Sequence, residues 1–308
     1  MTEERRVAIL LATFNGEQYL ASQLKTIECQ THENWCIHAA DDGSTDGTLS
    51  ILQDVARALG DCRLNVRKGP GQGFVTNFLS LVCARDINAE YFAFADQDDL
   101  WDTDKLERGL AALEGVPNDV PALYCARTRT VDAQGGLIGL SPLFLRPPSF
   151  RNALIQNLGA GNTMMFNSAA RELLRNVGLV NVPAHDWWAY LVVSVYGGVI
   201  VYDAEPCLSY RQHGHNIIGH NRGMLQRLKR YGLALIGRNR RWSDQHLNAL
   251  QPILDNCSAE QKAVYYKFSQ YRNLPVLLRI RKMRRLGLYA QTRIGQFGLM
   301  LAIALKRI

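Results

Sequence analysis

Four aspartates, Asp96, Asp98, Asp99 and Asp102, fall within seven positions directly behind the apolar run "YFAFA". In a chain of net charge +7, unpaired carboxylates packed this closely repel one another. Lys105 and Arg108 follow only a helical turn or more further on. Part of the cluster has an ordinary use, because Asp is favourable at a helix N-cap or in its first turn. Asp102 or Thr103 fits that role ahead of "KLERGLAAL". Asp96 and Asp98 are poorly explained that way, since they alternate at the end of an apolar run. A calcium loop of the EF-hand type places Asp96, Asp98, Asp102 and Glu107 well, but it needs glycine at its sharp turn. Trp101 stands there, with Leu100 before it, so that reading fails. What remains is an Asp-x-Asp turn able to face a hard divalent cation, Mg2+ or Mn2+, that keeps positions open for phosphate oxygens. Such an ion offsets the carboxylate repulsion and screens charge on a departing diphosphate.

Positioning that turn requires a frame. Strands are expected at Val7–Ala12, Trp35–Ala40, Arg63–Arg67, Tyr91–Ala95 and Ala122–Thr130. Helical patterns lie between them at Glu17–Cys29, Thr48–Leu59, Phe74–Arg85 and Asp102–Leu113. Alternation of this kind predicts βαβ units and a mainly parallel sheet. Ligands then bind beyond the carboxyl ends of the strands, where "ATFNGE", "DDGSTDGT" and "ADQDDLW" all fall. "DDGSTDGT" offers Asp42 as an acceptor for a base imide or a ribose hydroxyl, with Asp46 capping the next helix. Taken alone it could equally be a plain strand–turn–helix connection. "GPGQGF" breaks the dinucleotide fingerprint at Phe74 and no G-K-[ST] occurs, which disfavours dehydrogenases and P-loop enzymes. Further on, "GAGNTMMFN" reads as a strand and "SAARELLRNVG" as a helix capped by Ser168, and "HDWWAYLVVSVYG" as a mostly buried helix.

Together these motifs resemble the inverting family 2 glycosyltransferases of GT-A fold. The likeness runs from "VAILLATFNGEQYL" through "DDGSTDGT", "FADQDDLW", "GNTMMFN", "HDWW" and "YRQHGHN", spanning residues 6 to about 220. The Asp-Gln-Asp-Asp-hydrophobic-Trp and His-Asp-Trp-Trp motifs are similar to a narrower branch, the bacterial rhamnosyltransferase-like enzymes. The resemblance implies that Thr13, Phe14 and Glu17 line the base and ribose pocket and that Asp42 contacts the base. It implies Asp96 near the ribose or the metal, Asp98 as principal metal ligand and Asp186 as catalytic base. His213 matches a histidine that completes the metal site or binds the diphosphate, with His215 and His220 as alternatives, and Arg211 or His213 would meet the leaving charge. Asn162 departs from the cysteine or other small residue expected at its position. Asp186 could also merely cap its helix, His185 reads as structural, and Trp187 and Trp188 divide between acceptor stacking and core packing. The Q-x-x-R-W motif of processive polymerases is absent beyond the base, which implies transfer of a single sugar.

Seven scattered cysteines without a CxxC pair point to a reducing compartment and free thiols. "MTEERRVAILLATFN" lacks a signal-peptide layout, so export by that route is not expected. Charge divides sharply. From His220 onward 18 Lys and Arg face three acids, a balance of +15, whereas residues 1–219 hold 17 against 25, or −8. "MLQRLKRYGLALIGRNRRW", "LLRIRKMRRLGLY" and "GQFGLMLAIALKRI" mix arginine with apolar residues. An acidic body and the lack of a recognition motif argue against nucleic-acid binding. The final apolar run, interrupted by Arg293 and Gln296, falls short of the ~20 residues needed to span a bilayer. An ordinary packed helix with a solvated basic face would explain these stretches; an interfacial helix pair on anionic lipid is favoured.

The expectation is therefore a GT-A domain over residues 1–219 and a basic helical region over 220–308 that associates with membrane. The protein would sit in the cytoplasm, peripheral on the inner face of the plasma membrane. Its activity would be metal-dependent inverting transfer of one sugar, L-rhamnose from dTDP-rhamnose or a sugar from a UDP donor, to a glycan or lipid-linked acceptor. A catalytically inactive sugar-nucleotide-binding scaffold is the alternative, against which Asp98 and Asp186 both being present argues.

Overall fold

The computed structural model describes residues 5–60, 62–213 and 238–308. Fully apolar runs become strands buried on both faces, as parallel strands covered by helices require. The first half alternates β1 (Val7–Thr13), α1 (Leu20–Glu28), β2 (Trp35–Asp41), α2 (Thr48–Leu59), β3 (Leu64–Lys68), α3 (Phe74–Cys83) and β4 (Tyr91–Ala95). Then come β5 (Leu100–Trp101), α4 (Lys105–Leu113), β6 (Ala122–Val131), β7 (Leu137–Leu140), α5 (Phe150–Ala153), β8 (Met165–Asn167), α6 (Ser168–Val177), α7 (His185–Val195) and β9 (Val199–Arg211). The chain closes with α8 (Arg238–Leu250), α9 (Ala259–Tyr271), α10 (Val276–Arg285) and α11 (Arg293–Ala304).

The mixed, mainly parallel sheet runs β3-β2-β1-β4-β8-β6-β9-β5, with β7 paired to β6. β1 is parallel to β2 and β4, and β6 to β9. β8, antiparallel to both β4 and β6, runs the other way between them, as do the short β5 beside β9 and β7 beside β6. The carboxyl ends of β1, β2, β4 and β9 therefore open on the same edge, where "ATFNGE", "DDGSTDGT" and "ADQDDLW" lie. "GAGNTMMFN" gives a shorter strand than expected, because Gly161–Thr163 form a 3-10 turn before β8.

Two caps differ from expectation. Asn167, not Ser168, caps α6, its side chain accepting from the Ala170 amide. Its oxygen also accepts from Ala122 N, and its Nδ2 donates to Val120 O at 2.8 Å, so one amide fastens the helix and the start of β6. Asp104 rather than Asp102 or Thr103 precedes α4; Asp102 is instead drawn away by an ion pair with Arg129. Asp46 does satisfy the start of α2, accepting from the Thr48 amide at 3.0 Å.

The C-terminal helices pack on the α5–α7 side of the sheet. Leu250, Phe268, Met283, Leu299 and Ile303 share one buried cluster with Trp188, Tyr190 and Phe166. Polar contacts reinforce this: Asn152 Nδ2 donates to Tyr289 O and Arg146 N to Gln291 Oε1. Several arginines of this region are interior clamps. Arg279, 5% exposed, donates to Ile303 O, Leu274 O and Ala304 O. Of "MLQRLKRYGLALIGRNRRW", residues 224–237 lie outside the described residues, as do His215 and His220. Among the described residues, no helix is long and apolar enough to cross a membrane.

Candidate active site

Asp96 is the first residue past β4, and the chain turns through Asp98 and Asp99 into β5. β5 pairs with β9 at Leu100–Ser209 and Trp101–Leu208, which draws the end of β9 alongside the turn. Arg211 Nε donates to Asp98 O (3.2 Å) and its Nη1 to Ala133 O (2.9 Å). Two residues later, His213 Nε2 lies 2.8 Å from Asp98 Oδ2. The His213 ring stacks on Tyr19 at 4.6 Å, and the Arg211 guanidinium lies 4.8 Å from the centre of the same ring. Tyr19 thus supports both side chains, a role that its place in "GEQYL", where an aromatic reads as core packing, did not betray.

Asp186 approaches from the opposite side, in the first turn of α7. Its Oδ2 accepts from Gly161 N at 2.9 Å and its Oδ1 from Trp187 N at 2.6 Å. Burial nevertheless pushes this carboxyl up to about 6. Asp96 is pushed up to about 8, first by burial and then by the charges of Asp98 and Asp186. These three acids therefore lie within electrostatic reach of one another. The neighbouring His185 has a structural setting. It is sandwiched against Phe78 (3.9 Å) and Phe94 (4.7 Å), neither ring nitrogen has a partner, and burial pushes it down to about 3. Trp188 is fully buried. Trp187 donates to Ala153 O and packs edge-on against His246 of α8.

Beneath the turn lies a buried layer. Asp99 Oδ2 accepts from Asn162 Nδ2 at 2.6 Å, which gives the unexpected asparagine a purpose. Burial and the adjacent Asp98 and Asp96 hold Asp99 well above the usual carboxylate range. Lys105 is equally buried, its ammonium 3.5 Å from the Trp101 ring centre, and burial brings it down to about 8. The 3-10 turn that follows Ala160 thus touches both sides of the site: Gly161 holds Asp186 and Asn162 holds Asp99.

The other expected residues form the adjoining rim. Phe14 is 55% exposed, and its backbone is bracketed by Gln97, which accepts from Phe14 N and donates to Phe14 O. Glu17 Oε2 accepts from Gly47 N (2.9 Å), tying the first loop to the second. Thr13 turns inward and donates to Asp41 Oδ1 at 2.9 Å. Asp42, expected to face a base, accepts from Gly71 N and Gly73 N, both at 2.7 Å. The glycine loop that failed as a phosphate cradle is thereby held against the second strand's end. Gln97 and Asp41, which organise these loops, were not singled out from sequence.

The donor set suits a divalent cation in part. Asp98 and His213 face one another, and Asp96 stands in a potential that a positive ion would relieve. Among the described residues no three His, Cys, Asp or Glu side chains are gathered as a complete ligand set, so further ligands would come from a bound diphosphate and water.

The family model "Glycosyl transferase family 2" matches residues 8–176. The dTDP-rhamnosyl transferase RfbG of Shigella flexneri is 28% identical over 239 residues, 72% of this chain and 78% of that protein. TuaG of Bacillus subtilis, named as a teichuronic acid biosynthesis glycosyltransferase, is 31% identical over 224 residues, 70% of this chain and 82% of its own length. Among solved structures, the mannosyltransferase PcManGT of Pyrobaculum calidifontis, in complex with GDP-Man and Mn2+, superposes with a TM-score of 0.52 at 16% identity. It covers 99% of this chain and 86% of its own. TarS of S. aureus bound to UDP-GlcNAc gives a TM-score of 0.52 at 12% identity, covering 98% and 89%. At such identities the structures speak to the fold, which is GT-A, and the sequence match over more than half of the chain speaks to descent. The chain belongs to glycosyl transferase family 2.

Proposed function

We propose that the protein is an inverting, metal-dependent glycosyltransferase that moves one sugar from a nucleoside diphosphate to a hydroxyl of a glycan or lipid-linked acceptor. The observation that carries this reading is the meeting of Asp96, Asp98 and Asp186 at the carboxyl ends of the strands. Asp186 is the base. Held by the Gly161 and Trp187 amides, it takes the proton from the acceptor hydroxyl as the oxygen attacks the anomeric carbon. A positioned carboxylate of this kind contributes typically ~10²–10⁴ in rate. Attack comes from the face opposite the diphosphate, so the anomeric centre inverts as the glycosidic bond forms and the sugar–phosphate bond breaks.

Asp98 and His213, with Asp96 behind them, would hold Mg2+ or Mn2+. A cation bound there supplies neutralisation of the diphosphate as it departs. Arg211, fixed over Tyr19, adds standing positive charge beside the Asp98 turn. The rim of Phe14, Glu17 and Asp42 is where the nucleoside would lie. The 28% identity over most of the chain to a dTDP-rhamnosyl transferase supports dTDP-rhamnose as the first donor to test. The GDP-Man and UDP-GlcNAc held by the two structural neighbours support the nucleotide-sugar class. Incubation with dTDP-L-rhamnose and UDP-sugars, following nucleoside diphosphate release and the product's anomeric proton by NMR, tests the reading. Release with inverted configuration is expected. No release from any donor, or a retained configuration, would refute it.

A further inference from the structure

We propose that the outer face of α10 and α11, with the leucine-rich loop that follows β7, seats the protein on an anionic bilayer surface. This rests on the lipid-linked acceptor of the proposed function for its purpose but not for its evidence. α11 presents an exposed apolar stripe at helical spacing: Ile294 (71%), Phe297 (74%), Leu301 (42%) and, at its end, Leu305 (48%). Opposite faces of the same helix are core, with Leu299 and Ile303 buried in the cluster shared with the sheet side. Arg279, near the start of α10, donates to Ile303 O and Ala304 O at the end of α11, so the two helices run antiparallel. Leu277 of α10, 81% exposed, is thereby placed toward the Leu301–Leu305 end. Large apolar side chains displayed this way are uncommon on a monomer and mark a surface that contacts something.

Charge identifies the occupant. Arg281, Arg284, Arg285 and Arg293 are exposed on these helices and Lys306 just beyond them, and no Asp or Glu occurs from Tyr271 to Ile308. The adjoining loop carries no acid either: Leu137 to Phe150 contains no Asp or Glu, and Leu145 is 80% exposed. Arg146 fastens this loop to α11, donating to Ala290 O (3.1 Å) and Gln296 Oε1 (3.2 Å). Apolar side chains fringed by arginine, on segments that themselves carry no carboxylate, match the interfacial region of a membrane with anionic headgroups. The nearby Glu260 of α9, beside the end of α10, is paired with Arg151. A helix the length of α11, 12 residues, rises only about 18 Å, which suits lying in the interface rather than crossing it. The turn between β6 and β7, the second of which leads into this loop, reaches the active site, where Arg211 donates to Ala133 O. A bilayer on this face would thus lie along a strip of protein continuous with the site.

The test uses the full chain and co-sedimentation with vesicles of phosphatidylcholine, alone or mixed with phosphatidylglycerol. Binding is expected to the mixed vesicles only and to weaken with added salt. Phe297→Glu should abolish it. Arg284→Ala and Arg285→Ala should each weaken it about fivefold. Donor hydrolysis in solution should be unchanged in all three variants, so that failure here is separable from failure of the catalytic reading. Equal sedimentation of Phe297→Glu and the parent chain, or no binding of the parent, would overturn the proposal. So would a dimer of the parent chain that Phe297→Glu disperses, since the patch would then face a second copy.

Discussion

At the scale of single residues, the decisive group is the Asp186 carboxyl. Its two backbone donors favour ionisation and burial opposes it; burial wins, leaving it at about 6. As a base it works ionised, so kcat should be level above that value. Below it kcat should fall about tenfold per pH unit. A pH profile flat down to pH 4 would speak against Asp186 as the base. Asp186→Asn, which keeps the shape and loses the basicity, should lower kcat by ~10²–10⁴ with donor affinity nearly intact; retained turnover in a steady-state assay would reject the role. Asp98 stood out in sequence because alternating acids at a strand's end have few structural excuses. Asp186 was singled out only through the family resemblance, since an acid opening a helix has an ordinary capping use. Tyr19 was not singled out at all. Its contribution to Arg211 and His213 depends on β9 returning from over 180 positions away, and no local pattern records that.

At the scale of elements, the 3-10 turn at Gly161–Thr163 joins the two halves of the site. A Cβ on Gly161 would stand 2.6 Å from His185 Nε2 and 3.2 Å from Asp186 Cβ, and buried His185 has no room to yield. Gly161→Ala should therefore lower kcat more than it raises KM for the donor, measured by initial rates; parent-like kcat would show that the close approach does not position the base. Asn162→Leu removes the donor to buried Asp99 and should lower stability by about 1–3 kcal/mol, read by urea unfolding. The β1–β4 half was readable almost to the residue, since continuous apolar strands alternating with amphipathic helices leave one solution. The second half was harder. β5 and β7 are two and four residues long, too short for periodicity, and β8 shares its apolar run with the 3-10 turn. The basic tail misleads differently: the composition that suggests a solvated or lipid-facing stretch includes Arg272 and Arg279, which are 4% and 5% exposed and donate to the backbone carbonyls of Ile308 and Ile303.

At the scale of the whole molecule, an acidic catalytic body and a basic helical region pack through one apolar cluster. Three neutral histidines are buried in the molecule, one of them, His246, against Trp187 where the two parts meet. His38, His185 and His246 are pushed down to about 4, 3 and 3 from an ordinary 6.5, each first by burial. Above pH 6.5 they carry no penalty. As pH falls below 6.5 the unfolded chain takes up protons that the folded one refuses, so each removes up to about 1.4 kcal/mol of stability per pH unit. His246→Phe should make stability fall less steeply between pH 6.5 and 4 in urea titrations; an unchanged slope would show that His246 is not buried neutral between α7 and α8. The central claim is chemical, and one assay reaches it most directly: nucleoside diphosphate release from dTDP-rhamnose with and without Mn2+, by the parent chain and by Asp98→Asn. Release that stops on chelation, returns with Mn2+ and is lost in Asp98→Asn is the expected result. Release indifferent to chelation, and undiminished in Asp98→Asn, would contradict it.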